Sequence, residues 1–504
     1  MDRIVDVALA TSELPGSPEL PRGGLLLVGC CEGEPPDTSA LPDWAAPLVS
    51  SLAERPGWKG REGQWVEADS GREDVAHVAL RGLGKRDALH VRKLAKWLRE
   101  TAAVASLHGV GRLALALPAH ELTTGPTGAA YAARHLALSR YRYDEFQARP
   151  EEPDSLVSVH LLIVGAGDAE ARAVAEAMEV ARGAMATRDL ANAPPNVATP
   201  EWMAERALAL AEEHGLEVEV LVTEDLERLG MGGILAVGGG SKNPPRLVRL
   251  GWRGGISSDR ENQAPRVALV GKGVTFDTGG ISIKPAKDMD EMKWDKSGAC
   301  TVLGLMQAIA RLKLPVRVDA YLPLAENMPG GGSYRPGDIV RAHNGKTIEV
   351  LNTDAEGRII LADALSWAAE QKPDYIVEYS TLTGACVVAL GSTGAGLYTP
   401  SDELAAGLLR AAEDAGERLW RMPLWPEFKE ALKGSHADLR NVAGRWGGAN
   451  TAAAFLSHFV GDVQRWAHLD IAGPAYIGGE EGDRGATGYG VALTIRWLQS
   501  LAAA

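Results

Sequence analysis

Three charged side chains stand at alternate positions in the stretch NTDAEGR, residues 352 to 358. They are Asp354, Glu356 and Arg358, and they come directly before an apolar, helical run, IILADALSWAAE. If the segment is extended, all three share one face. They would then converge on a helix start, where backbone N–H groups and the helix dipole also favour an anion. A second stretch, Arg266 to Gly298, opens as a strand (VALV) and becomes a glycine-rich loop. It carries Lys272, Asp277, Lys284 and Asp295 before another helix begins near Ser297. Together the two stretches offer four carboxylates and almost no histidine. Oxygen-only clusters of this kind suit Mn, Mg, or Zn where carboxylates dominate. Two divalent cations would neutralise Asp277, Asp295, Asp354 and Glu356. Lys284 and Arg358 would then leave a net positive site that attracts hydroxide and a developing oxyanion. The competing reading is that the acids are unrelated loop residues, solvated separately. It is the better one for any single acid and the poorer one for two glycine-flanked groups together.

The elements that must position these residues form an alternating pattern. Strand candidates LEVEVL, RLVRLGW, RVALVG, VRVDAYLPL and YIVEYST alternate with helices at about 201–214, 297–312, 358–371 and 402–416. This is a doubly wound α/β arrangement with a central, mostly parallel or mixed sheet. Ligands in such folds sit beyond the carboxyl ends of the strands. Lys272 and Asp277 follow VALV, and Thr381, Leu382 and Gly384 follow YIVEYS, in keeping with that rule. Ahead of this domain, residues 1–167 alternate short apolar strands with helical stretches, which predicts a small α/β domain with a largely parallel sheet. GAGDAEA, residues 165–171, mimics a dinucleotide fingerprint but lacks the second strand ending in an acid some 20 residues on. It reads as a strand-to-helix turn without a cofactor. The alanine-rich residues 168–191 predict a joining helix that NAPPN stops, and residues 192–504 make the second domain.

At 504 residues two domains are expected. A net charge of −14, from 52 basic and 66 acidic residues, argues against a nonspecific grip on nucleic acid or an anionic membrane. No apolar run approaches the roughly 20 residues of a membrane span. The N-terminal stretch mixes charge and proline where a signal peptide needs a continuous apolar segment, which points to the cytoplasm. Cys30, Cys31, Cys300 and Cys386 form no disulfide framework and read as reduced packing residues. HExxH, GxSxG and GxxxxGK[ST] are absent. His468, in WAHLDIAG, reads as a hydrogen-bonded structural residue.

NTDAEGR with its following helix, together with VGKGVTFDTGG, resembles the leucine aminopeptidase (cytosol aminopeptidase) family of two-metal exopeptidases. RDLANAPPN (188–196), STLTGACVVALG (380–391) and WAHLDIAGPAY (466–476) extend the resemblance over roughly the C-terminal two thirds. Two departures show. Ile359 stands where the family usually has leucine, and Lys296 follows Asp295 where the family has methionine. The resemblance implies a macrodomain-like N-terminal domain and a C-terminal catalytic peptidase domain. It also implies two divalent ions, Mn or Zn, one held by Asp277, Asp354 and Glu356 and the other by Lys272, Asp277, Asp295 and Glu356. Lys284 would polarise the scissile carbonyl, and Arg358 would hold a bicarbonate as proton shuttle. Met292, Thr381, Leu382, Gly384 and Ala472 would shape an apolar pocket for leucine or methionine. Peptides would be the substrates and a homohexamer the assembly. Two rival functions are a DNA-binding architectural role and a ligand sensor with a silent peptidase. The acidic balance argues against the first and the intact acid and lysine set against the second.

Overall fold

Long apolar runs without polar alternation belong in strands covered on both faces, and the two most central strands of the protein are of this kind. The computed structural model describes residues 4–10, 24–72, 75–107, 109–148, 156–255, 264–478 and 484–503. Much of the N-terminal stretch read against a signal peptide therefore lies outside the described residues. The chain divides into two compact units, Met1–Arg182 and Gly183–Ala504.

The first unit holds strands β1 (Asp6–Leu9), β2 (Gly24–Cys31), β3 (Trp65–Asp69), β4 (Val75–Gly84), β5 (Arg112–Ala116) and β6 (Ser158–Leu162). They form one sheet in the order β1-β6-β5-β2-β4-β3. Every pairing is parallel except β3 with β4. β2, GLLLVGCC, is buried along its whole length between β5 and β4. After β6 a turn leads into a helix that runs without interruption from Asp168 to Asn192.

The second unit contributes β7 (Glu217–Leu221), β8 (Arg246–Trp252), β9 (Arg266–Gly271), β10 (Gly273–Asp277), β11 (Arg317–Asn327), β12 (Ile339–Arg341), β13 (Thr347–Glu349), β14 (Tyr375–Ser380), β15 (Gly394–Tyr398), β16 (Arg418–Arg421), β17 (Leu439–Arg440) and β18 (Trp466–Asp470). Its main sheet runs β16-β15-β18-β14-β9-β11-β8-β7, with β10 pairing β11. β9 is parallel to both neighbours, Leu269 lying opposite Ala320 of β11 and Val377 of β14. The β11–β8, β8–β7 and β15–β18 pairs are antiparallel, so the sheet is mixed. β12, β13 and β17 make a separate small sheet. A core of Val270, Tyr321, Ile359, Ile360, Phe455 and Trp466, among others, fills the space between this sheet and the helix Gly357–Glu370.

No helix among the described residues is long and apolar enough to cross a membrane. All four cysteines are free and buried, and burial pushes the Cys30, Cys300 and Cys386 thiols up to about 12.

Candidate active site

The carboxyl end of β9 and the chain just beyond it supply the first half of the site. Lys272 follows β9, and its backbone N–H donates to Tyr379 O at the end of neighbouring β14 (3.0 Å), which sends the side chain inward. Its ammonium lies 2.8 Å from Asp295 Oδ1 and 3.0 Å from Glu356 Oε1, and it donates to Thr381 O at 3.0 Å. Asp277 ends β10. The turn after it uses Gly279 (φ 84°) and Gly280 (φ 65°), a left-handed pair that side chains disfavour. This turn lets Gly279 N donate to Asp277 Oδ1 at 2.8 Å. Lys284 returns from the same loop to lie 2.8 Å from Asp277 Oδ2 and 2.5 Å from Asp354 Oδ1. Asp295 sits on a 3₁₀ turn, Met289–Lys296, and its Oδ1 also accepts from the Thr381 hydroxyl (2.7 Å).

The second half comes from NTDAEGR, and here the structure corrects the extended reading. The Asn352 side chain accepts from Asp354 N (2.9 Å), which makes a turn. Glu356 already has helical dihedrals as the residue before the helix Gly357–Glu370. Asp354 and Glu356 still meet Asp277, with one carboxylate oxygen of each within 4.8 Å of the others. Arg358 does not share a strand face with them; one helical step on, its guanidinium donates to Asn441 O at 2.7 Å.

Asp277, Asp295 and Glu356 are buried, as are Lys272 and Arg358. Four carboxylates thus stand against two ammonium groups in direct contact and the Arg358 guanidinium, whose charge is felt by Glu356, so negative charge exceeds positive. Burial, then the nearby Glu356 and Asp295 charges, push the Asp277 carboxyl up to about 7. Burial does the same to Asp295, up to about 6. Glu356 goes the other way, because Lys272 and Lys284 outweigh the cost of its burial. Burial opposes the charge on Lys272, but Asp295 and Glu356 outweigh it and raise its pKa. Burial lowers Arg358 to about 10, which leaves it charged at neutral pH.

A metal fits this donor set. Asp295 Oδ2 and Glu356 Oε2 are buried and accept no hydrogen bond from any described residue. Buried carboxylate oxygens without partners, in a cluster with an excess of negative charge, suit hard divalent cations.

Around the cluster stand residues that their types alone did not mark. Asn327, ending β11, donates to Asp277 Oδ1 (2.7 Å) and to Thr353 O (3.0 Å). Asn441 accepts from Leu351 N and donates to Asn352 O, holding NTDAEGR from behind. Asp470, at the end of β18, accepts from Leu382 N (3.2 Å), Ala472 N (3.3 Å) and the Thr383 hydroxyl (2.6 Å). It therefore joins the two loops carrying Thr381, Leu382 and Ala472. Gly384 opens the helix Gly384–Leu390, and Met292 is half-buried on the Asp295 turn. His468 is fully buried and pairs with Glu378 on neighbouring β14, away from the carboxylates. A cavity of about 730 Å³ at Lys372–Asp374 and Arg465 lies at the amino ends of β14 and β18 and includes none of these residues.

The geometry agrees with what the chain is similar to. The catalytic domain of the cytosol aminopeptidase family matches residues 185–495, and that family's N-terminal domain matches residues 27–150. A probable cytosol aminopeptidase of Dechloromonas aromatica is 41% identical, covering 96% of this chain and 97% of the relative. One from Roseiflexus castenholzii is 45% identical over 96% and 98%. Among solved structures, a tomato leucine aminopeptidase mutant aligns with a TM-score of 0.84 at 33% identity, covering 98% of this chain and 96% of that one. The bottromycin maturation enzyme BotP in complex with Mn aligns at 0.81 and 36% identity, covering 95% and 100%. None of this favours a DNA-binding or silent sensor role. With a buried acidic cluster at the strand ends and matches over almost its whole length, the chain belongs to the cytosol aminopeptidase family and is a metal-dependent aminopeptidase.

Proposed function

We propose that this aminopeptidase removes leucine and other apolar residues from peptide N-termini at a site for two divalent ions, Mn or Zn. Asp277, Asp354 and Glu356 would hold one ion, and Lys272, Asp277, Asp295 and Glu356 the other. The observation that carries this reading is the excess of negative charge among four clustered carboxylates, two of which present buried oxygens with no hydrogen-bond partner among the described residues. When bound, such ions supply an acidified water for attack on the first peptide carbonyl and an anchor for the free amine.

The chain's own residues divide the remaining work by depth. The Lys284 side chain is 21% exposed against 3% for Lys272, so Lys284 is the lysine that can meet a substrate. Its ammonium would polarise the carbonyl and stabilise the tetrahedral oxyanion. Lys272 can serve as a ligand only after losing its proton, since an ammonium has no lone pair. Arg358 commits one nitrogen to Asn441 O and keeps a buried Nε without an acceptor among the described residues. A small anion such as bicarbonate would satisfy it and could carry the proton to the leaving amine. Met292, Thr381, Leu382, Gly384 and Ala472 would wall the pocket for the first side chain. Residues 1–167 would form the macrodomain-like domain, 168–191 the joining helix and 192–504 the peptidase domain. The enzyme would work in the cytoplasm as a hexamer.

The test is release of leucine from a leucyl peptide. Activity should vanish on chelation, return with Mn, and fail on the N-acetylated peptide, whose amine cannot bind. Full turnover in metal-depleted enzyme would sink the reading.

A further inference from the structure

Lys296, adjacent to Asp295, has a side chain removed entirely from solvent. It does not face the carboxylates. Its ammonium donates to Ala191 O (3.1 Å), Ala193 O (3.0 Å) and Lys293 O. Three acceptors meet the three N–H groups of an ammonium, so its hydrogen-bonding capacity is filled. Two of those carbonyls stand at the C-terminal end of the helix Asp168–Asn192. There, unpaired backbone oxygens and the negative end of the dipole favour a cation. A second tie joins the same two segments. Trp294 Nε1 donates to Asn192 Oδ1 (2.9 Å), which also accepts from Ala486 N (2.9 Å). Trp294 in turn stacks on Tyr476, centroids 4.6 Å apart. Asp295 thus lies between the Trp294 and Lys296 anchors, and its carboxylate is left to reach Lys272 and Thr381.

We propose that Lys296 is a positioning residue for the ion site built on Asp295. It pins the turn Met289–Lys296 onto the end of the helix Asp168–Asn192 and thereby sets where the Asp295 carboxylate points. The proposal rests on the reading of Asp295 as a ligand. It explains how a charged residue can occupy the position beside that ligand: its charge is spent on backbone carbonyls on the far side of the turn.

The test is Mn(II) titration of the full chain, followed by electron paramagnetic resonance, for wild type and Lys296→Met. Methionine keeps the length and removes the charge. One of the two Mn affinities should weaken by about ten- to a hundredfold, as for other residues that orient a ligand, while the second stays unchanged. At saturating Mn, kcat should approach that of wild type, because no group that meets substrate has been altered. A lowered unfolding temperature with both affinities intact would assign Lys296 a purely structural role and overturn the proposal. Should Lys296→Met fail to fold, Lys296→Gln decides. Glutamine removes the charge, keeps a polar group in the buried position and offers two N–H donors for three carbonyls, so it carries the same expectation, and unchanged Mn affinities there would overturn the proposal too. Wild-type protein that binds no Mn(II) would remove the metal reading itself. Two wild-type sites that survive both substitutions would remove only the pin.

Discussion

Gly357, the first residue of the helix that follows Glu356, is a position where a single added methyl would press directly on the charged cluster. A Cβ there would stand 2.4 Å from Lys272 Cε and 2.7 Å from its Nζ. Ordinary contact for a Cβ begins near 3.4 Å, so the lysine or the helix must give by about 1 Å. Lys272 has little room to do so. It is 2% exposed, and its ammonium is held by Asp295, Glu356 and Thr381 O at 2.8 to 3.0 Å. Two effects oppose each other in Gly357→Ala. Helix propensity favours alanine by at most about 1 kcal/mol, whereas overpacking a filled interior costs about 1–3 kcal/mol. The overlap should win, giving a lower unfolding temperature. Displacing a charged group by about 1 Å at a reacting centre can cost on the order of a hundredfold in rate, so kcat/KM on a leucyl peptide should fall by about that factor. Thermal unfolding and steady-state kinetics on the same preparation measure both quantities. A more stable variant with wild-type turnover would show that Lys272 can move aside, and that the tight packing at this helix start has no part in activity.

Lys284→Ala should lower kcat by about a hundred- to a thousandfold, as for loss of one oxyanion donor, with a much smaller change in KM; an unchanged kcat with raised KM would contradict the assigned role. Lys272→Arg should lose the ion shared with Asp295 and keep the one shared with Asp354, because a guanidinium stays protonated; two tightly held ions by mass spectrometry, with full activity, would show that Lys272 is not a ligand. The raised Asp277 and Asp295 pKa values make the chelated protein pH-sensitive in an unusual direction. The folded state keeps protons that the unfolded chain has already lost, so stability should be greatest in mild acid and decline as pH rises through about 6 to 7. Added Mn, which binds the ionised carboxylates, should stabilise more strongly above that window. A chelated protein whose unfolding temperature does not change from about pH 5.5 to 8 would count against the excess of negative charge.

How much of this was legible in the sequence depended on whether a residue's partner was local. The run VALV reads as a strand from its own unbroken apolar residues, and it became β9, buried and parallel to both neighbours. β15 and β16 were not foreseen. GAGLY and RLWR are short, and β16 lies at the sheet edge, where the two-sided apolar pattern is not needed. The acids of NTDAEGR were legible as a pair, but the backbone joining them was not. The extended reading failed because the Asn352 side chain bonds two residues on and turns the chain. Asn327, Asn441 and Asp470 were missed for a different reason. Each is a residue type common in any loop or strand end, and the bonds that give it meaning reach 50, 83 and 88 residues along the chain.

The two halves of the charged cluster are not equivalent, and topology accounts for the difference. Lys272 leaves the central strand β9 with β14 and β11 on either side, so its partners Asp295 and Glu356 are closed in, with side chains 9% and 2% exposed. Asp277 ends β10, which among the described residues pairs with β11 alone, and the loop beyond it reaches the surface before Lys284 returns. Lys284 and Asp354 therefore keep 21% and 33% of their side chains in solvent. A charge is attenuated least where water is excluded. The inner lysine accordingly sits where a nearby cation would repel its ammonium charge most strongly and so favour loss of the proton, which is what a lysine ligand requires. The outer lysine sits where water and a peptide can enter, and a residue that must stabilise charge developing on a substrate has to be within the substrate's reach. Reversing these positions would leave the ligand lysine hydrated and the oxyanion donor sealed off. The division of labour proposed for Lys272 and Lys284 therefore follows from which strand each one leaves.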